Sequence, residues 1–109
     1  MKKFIPAMKA TIAKQLFTYH GFTQTEIASK LNLTQATVSN YLSGNYGDEL
    51  KKLERHADVQ KISTIVSLQI FKDKIHSKKV SESICDFCID YLKENPKCEF
   101  RNLVKMAVK

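Results

Sequence analysis

The chain has 109 residues, of which 43% are apolar and 27% charged, which allows one small domain or a small domain with a helical extension. Glycine and proline are scarce, with three and two residues, and no alternating run of polar and apolar residues occurs, so we predict an all-α fold. No apolar run is long enough to span a membrane, and Pro6, Lys9 and Lys14 interrupt what would be the apolar part of a signal peptide. We therefore expect a cytoplasmic protein without a membrane partner.

The net charge of +7 is concentrated in the N-terminal half. Residues 1–44 carry five lysines and one acid, and residues 45–80 carry eight basic and five acidic side chains. Residues 81–109 carry five of each and are neutral. Because a basic domain attracts polyanions, this distribution favours a nucleic-acid partner for the N-terminal half.

The first predicted helix covers about residues 7–20 and ends at Gly21. Its apolar positions recur at helical spacing and predict one inward face. These positions are Met8, Ile12, Ala13, Leu16, Phe17 and Tyr19.

Residues 23–44, TQTEIASKLNLTQATVSNYLSG, predict two short helices joined by a tight turn. Thr23 and Glu26 have the spacing of a capping box at the start of the first of these helices, residues 24–31. Asn32 falls at the turn, where a positive φ is usual and Asn tolerates it. Thr34 can then cap the second helix, residues 35–42.

The second helix of this pair has an exposed face made of small or hydrogen-bonding residues without charge, although Lys and Glu usually fill a solvated face. Such a face suits contact with base edges in the major groove of double-stranded DNA. The predicted base contacts are Gln35, Ala36, Thr37, Ser39 and Asn40. The predicted phosphate contacts are Gln24, Thr25, Thr34, Ser43 and Asn45, with Lys9 and Lys14.

The same 22 residues resemble the helix-turn-helix of lambda-type repressors and the wider Cro/repressor-like family. The matching positions are Gln24, Ala28, Gln35, Val38 and Gly44. The resemblance implies that Gln24 touches a phosphate and braces Gln35, which reads adenine. Ala36 stands where the phage relative has Ser, and Ser39 and Asn40 are bulkier than their counterparts, which implies a different operator.

A longer stretch, residues 12–47 followed by ICDFC at 84–88, is similar to small archaeal helix-turn-helix regulators, including those fused to thiamine-phosphate synthase domains. This resemblance covers most of the chain and implies a transcription regulator with a C-terminal cysteine pair.

Three further helices are expected, at about residues 48–57, 60–75 and 82–95, and residues 98–109 can add a short one. The helix at 60–75 is apolar on more than one side, which is usual for a helix that is buried or paired with another chain. We therefore predict a DNA-binding domain at 1–58 and a helical dimerisation or regulatory region at 59–109. The predicted homodimer interface is Ile62, Ile65, Val66, Ile70 and Phe71.

Cys85 and Cys88 form a C-x-x-C pair, and Cys98 follows ten residues later. Thiols at i and i+3 share a helix face and can bind zinc or an Fe–S cluster, or switch redox state. Zinc and Fe–S sites usually have four ligands, and the chain has three cysteines. Structural thiols on the inward face of the last helix are therefore the simpler interpretation.

Two alternatives to plain DNA binding therefore stand: a metal or redox sensor that acts through the cysteines, and an antitoxin-like protein-interaction module. No catalytic motif is present in the sequence, and we expect no enzyme activity.

Overall fold

The computed structural model describes residues 4–94, which form six α-helices and one 3-10 turn and contain no strand. The all-α prediction is confirmed for this part of the chain. The helices are α1 (Phe4–His20), α2 (Gln24–Leu31), α3 (Gln35–Ser43), α4 (Asp48–Glu54), α5 (Ala57–Phe71) and α6 (Val80–Glu94), with the turn at Ser77–Lys79. The predicted helix at 98–109 lies outside the described residues.

Helix α1 is the centre of the fold and contacts each of the other five helices. Between residues 7 and 16 it is buried on most sides, which explains why both small and large apolar residues occur there. Its start is three residues earlier than the sequence predicts, because Pro6 falls in the first turn, where the missing N–H costs no hydrogen bond. Phe17 and Tyr19, predicted to face inward, are 51% and 76% exposed. That part of the prediction was wrong.

Polar contacts inside the core fix α5 against α1. The Ser67 hydroxyl donates to Gln15 Oε1 at 3.1 Å, and Gln15 Nε2 donates to the carbonyl of Gln60 at 3.5 Å. These contacts satisfy polar groups that burial would otherwise leave without partners. Because they join residues about 50 positions apart, they help set how the two helices meet.

Helix α5 begins at Ala57, three residues before the predicted start, because His56 caps it with a side-chain nitrogen. His56 Nδ1 accepts from the backbone N–H of Asp58 at 3.2 Å. The Asp58 carboxylate in turn accepts a hydrogen bond from the Tyr91 hydroxyl, which ties α6 to the start of α5. Helix α6 thus packs on the bundle that α1 and α5 form.

One hydrophobic core runs through the described residues from Met8 on α1 to Cys88 on α6. It includes Val38 from α3 and Ile62 from α5, so the core has no break at residue 58, where we placed a domain boundary. Full burial of each large aliphatic side chain contributes about 1.5–3 kcal/mol. The N-terminal helices therefore share their stabilising contacts with α5 and α6.

Candidate nucleic-acid interface

The turn between α2 and α3 has the local structure that its sequence predicts. The Thr23 hydroxyl accepts from the N–H of Glu26 at 3.2 Å, and the Glu26 carboxylate accepts from the N–H of Thr23 at 3.0 Å, which completes the capping box. Asn32 adopts the left-handed conformation with φ of 55°. Thr34 then caps α3 by accepting from the N–H of Thr37 at 3.1 Å. Asn32 and Thr34 thus fix the two helix ends that meet at the turn, and Thr23 fixes the start of α2.

The inner side of α3 is anchored by apolar groups. Val38 is fully buried, and Tyr41 and Leu42 pack partly buried against the core. The Tyr41 ring also meets the Tyr46 ring edge-on, with centroids 5.8 Å apart. These contacts determine which side of α3 faces solvent.

The outer side of α3 presents four exposed residues without charge, namely Gln35, Ala36, Ser39 and Asn40. Because they stand at i, i+1, i+4 and i+5, they lie along one face. Thr37 differs from the sequence expectation, since it is half-buried and its hydroxyl lies 2.8 Å from that of Thr34. The structure thus groups four of the five predicted base-contact residues on one accessible face.

The uncharged residues predicted to contact phosphate lie in the first turn of α2 and around the two ends of α3. Gln24 and Thr25 occupy the first turn of α2, where N–H groups are free of helical partners. At the far end of α3, the Ser43 hydroxyl donates to the carbonyl of Asn40 at 3.2 Å, and Asn45 Nδ2 lies 3.5 Å from Asn40 Oδ1. Thr34, Thr25, Ser43 and Asn45 are exposed, and Gln24 is half-buried.

The two lysines predicted to contact phosphate are less free than the sequence suggests. Burial lowers the pKa of the half-buried Lys9 ammonium. Lys14 Nζ forms an ion pair with Glu54 Oε1 at 3.1 Å and also donates to the Tyr46 hydroxyl. The Lys14 charge is therefore balanced within the chain.

This ion pair is part of a polar cluster that sequence reasoning missed. Glu54 is 7% exposed, and it accepts hydrogen bonds from both Lys14 and the Tyr46 hydroxyl. Burial tends to lower the pKa of Lys14, but the hydrogen bonds to Tyr46 and Glu54 raise it above its ordinary value. Burial raises the pKa of Tyr46, and its hydrogen bond to Glu54 adds to that rise. A buried carboxylate is thus stabilised by two donors.

The predicted dimer-interface residues divide into two groups. Ile62, Val66 and Ile70 are fully buried in the chain's own core, so their assignment to an interface is corrected. Ile65 and Phe71 are 45% and 51% exposed. Helical spacing shows which residues share a face, but it does not show whether that face meets α1 or solvent.

An apolar stripe therefore remains on the outer side of α5, formed by Ile65, Leu68 and Phe71. The Phe71 ring stacks on His20 with centroids 4.6 Å apart, and it lies 6.2 Å from the Phe22 ring. The stripe thus borders His20 and Phe22, at the junction of α1 and α2. We call these three α5 residues the α5 stripe.

The cysteines of α6 occupy two different environments. Cys88 is fully buried in the core, whereas Cys85 is half-buried. Burial raises the pKa of Cys85, with a smaller contribution from Asp86, which reduces the thiolate available to a metal or an oxidant. Within residues 4–94 no group of three or more potential ligands surrounds a metal position. Cys98 lies outside the described residues.

Among the described helices, none is long and apolar enough to cross a membrane. Comparison with known proteins does not extend these observations: no family model, no curated protein and no solved structure matches the chain.

Proposed function

We propose that the chain is a sequence-specific, double-stranded-DNA-binding transcription regulator in which α2 and α3 form a helix-turn-helix. The observation that carries the proposal is the outer face of α3, where Gln35, Ala36, Ser39 and Asn40 are exposed and uncharged while Val38 anchors the opposite side. The basic N-terminal half supplies attraction to phosphate without occupying that face.

In this proposal α3 enters the major groove with its first turn nearest the bases. Gln35 can hydrogen-bond N6 and N7 of adenine, and Asn40 can do the same from one turn further along. The Ala36 methyl group can pack on a thymine methyl. The first turn of α2, with Gln24 and Thr25, can hold a phosphate and so set the register of α3 on the duplex.

The α5 stripe supports the second part of the proposal, a homodimer. An exposed row of Ile65, Leu68 and Phe71 is the kind of surface that a second copy covers in a two-fold interface. A two-fold dimer places two copies of α3 on one side of the duplex. It then reads a pseudo-palindromic operator with half-sites about 34–36 Å apart.

Selection of bound sequences from random duplex DNA, with the full chain as bait, tests the DNA-binding part. We expect enrichment of a pseudo-palindrome with an adenine whose selection is lost in Gln35→Ala. A matched control is Gln69→Ala, which changes the same residue type on α5. Selection that enriches no sequence, or an unchanged motif from Gln35→Ala, would contradict reading by α3.

Sedimentation equilibrium of Ile65→Asp tests the dimer. A carboxylate in the α5 stripe should yield a monomer, because an interface centred there would have to bury the new charge. Lys93→Asp, which introduces the same carboxylate at an exposed site on α6, should remain dimeric. A dimeric Ile65→Asp variant would place the interface elsewhere.

The cysteine-based sensor and the antitoxin-like module gain no supporting observation from residues 4–94, and neither is proposed.

A further inference from the structure

An open-sided cavity of about 420 Å³, lined mainly by residues of polar and charged type, lies beside the end of α3, between α1, the turn after α3, and α4. This volume falls in the range of small-molecule sites in proteins. Among the described residues, its lining includes three cationic side chains, Lys14, Lys51 and Arg55, and one carboxylate, that of Glu54. The local charge therefore favours an anion.

Contacts within the chain hold several of the cavity's lining side chains in fixed positions. Glu54 is nearly fully buried and holds the Lys14 ammonium at 3.1 Å. Gln60 Nε2 donates to the carbonyl of Glu54 at 2.6 Å, which fixes the end of α4 against α5. Lys14 and Lys51 also lie over the Tyr46 ring, at 4.9 and 5.6 Å from its centroid. These contacts hold the charged groups in place before any ligand arrives.

The cations that the Glu54 carboxylate does not pair are the ones suited to a ligand. Lys51 and Arg55 are four residues apart and therefore project from the same face of α4 toward the cavity. An Arg guanidinium can hold phosphate or carboxylate oxygens through two parallel hydrogen bonds, and Lys adds a point charge. Around them, Thr18 and Tyr19 offer hydroxyl groups for the remainder of a polar molecule.

We propose that this cavity binds a small multivalent anion, a phosphate ester or a polycarboxylate, chiefly through Lys51 and Arg55. The volume exceeds what a single phosphate needs, so the cavity has room for further polar groups on the ligand.

The position of the cavity connects it to α3. Gly44, which ends α3 in the left-handed conformation with φ of 78°, is part of the lining. Tyr46 also lines the cavity, and its ring meets the Tyr41 ring on α3 edge-on. An anion that draws Lys51 away from the Tyr46 ring would change the support of the end of α3. This coupling, unlike ligand binding itself, rests on the proposed DNA-binding function.

The test is an amide NMR titration of the full chain with pyrophosphate and, separately, with citrate, against sodium chloride at matched ionic strength. We expect saturable shifts at residues 14–19, 44–46 and 51–55 with at least one of the two anions, and the stronger binder indicates the ligand chemistry. The double variant Lys51→Gln/Arg55→Gln should lose at least tenfold in affinity. Lys93→Gln, the same neutralisation on α6, should bind as the unmodified chain does.

Three outcomes would overturn the proposal. The first is shifts that do not saturate with either anion, and the second is equal affinity in the double variant when its remaining spectrum shows an intact fold. The third is displacement of the bound anion by duplex DNA of any sequence, which would assign the cavity to the DNA backbone. Anion binding by a chain that binds no DNA would support the cavity and contradict only the proposed function.

Discussion

The shared core makes a specific prediction for Ile62→Ala on α5. Ile62 is fully buried, and the substitution removes three carbon atoms from the core that also holds α1 and α3. Deletions of this size cost about 2–5 kcal/mol. A domain of this length has a total stability of about 5–15 kcal/mol, so the loss is a large fraction of the total.

The loss of stability caused by Ile62→Ala should also be measurable in α2 and α3, although Ile62 belongs to α5. If α2, α3 and α5 unfold as one unit, the slowest amides of α2 and α3 should exchange about 30 to 5,000 times faster, since every 1.4 kcal/mol is tenfold. Urea unfolding followed by circular dichroism gives the matching change in free energy. Ile65→Ala, three residues along the same helix and 45% exposed, should change either measurement by less than about 1 kcal/mol.

One result of the exchange experiment would contradict the shared core. If amides of α5 lose protection while those of α2 and α3 keep theirs, residues 1–58 form a separate folding unit and the shared core contributes little. Should Ile62→Ala prove too unstable, Ile62→Val lowers stability by only about 0.5–1.5 kcal/mol and serves the same comparison.

Three further predictions concern caps, protons and thiols. Thr34→Ala removes the cap of α3 and should lower stability by about 1 kcal/mol, or about 4–8 °C in melting temperature, whereas the exposed Thr25→Ala should have a smaller effect. The pKa values of Tyr46 and Lys14 are both raised in the folded chain, so the stability they contribute is complete below about pH 10 and is lost as pH rises through the folded values. Melting temperatures from pH 9 to 12 should therefore fall more for the unmodified chain than for Tyr46→Phe, and parallel curves would contradict this. Iodoacetamide mapped by mass spectrometry should modify Cys88 only after denaturation, and rapid labelling in the native chain would place it outside the core.

Local signals in the sequence predicted the α2–α3 region well. The roles of Thr23, Asn32 and Thr34 depend on residues no more than four positions away, and each was confirmed. Helix starts were less accurate where an unusual residue takes part. Pro6 is accommodated inside the first turn of α1. The imidazole of His56 caps α5, although His is not among the residues that commonly cap helices.

Contacts between distant segments could not be predicted in the same way. Periodicity placed Ile62 and Ile65 in one apolar band, but the packing of α1 decides that the first is buried and the second exposed. The cavity is a stronger example, because Lys14 and Glu54 are 40 residues apart. The spacing of Lys51 and Arg55 was a visible signal for a basic face on α4, yet only the folded chain shows that Lys14 lies opposite.

The central claim is that the outer face of α3 determines which DNA sequence the chain binds. The ratio of its affinities for the selected duplex and for a scrambled duplex tests this claim most directly. Fluorescence anisotropy at a fixed salt concentration gives the dissociation constants of the full chain for its selected duplex and for a scrambled duplex. Gln35→Ala should reduce the ratio of the two constants by about 5- to 150-fold, the equivalent of about 1–3 kcal/mol, with little change in affinity for the scrambled duplex. An unchanged ratio, or an equal loss on both duplexes, would contradict the account.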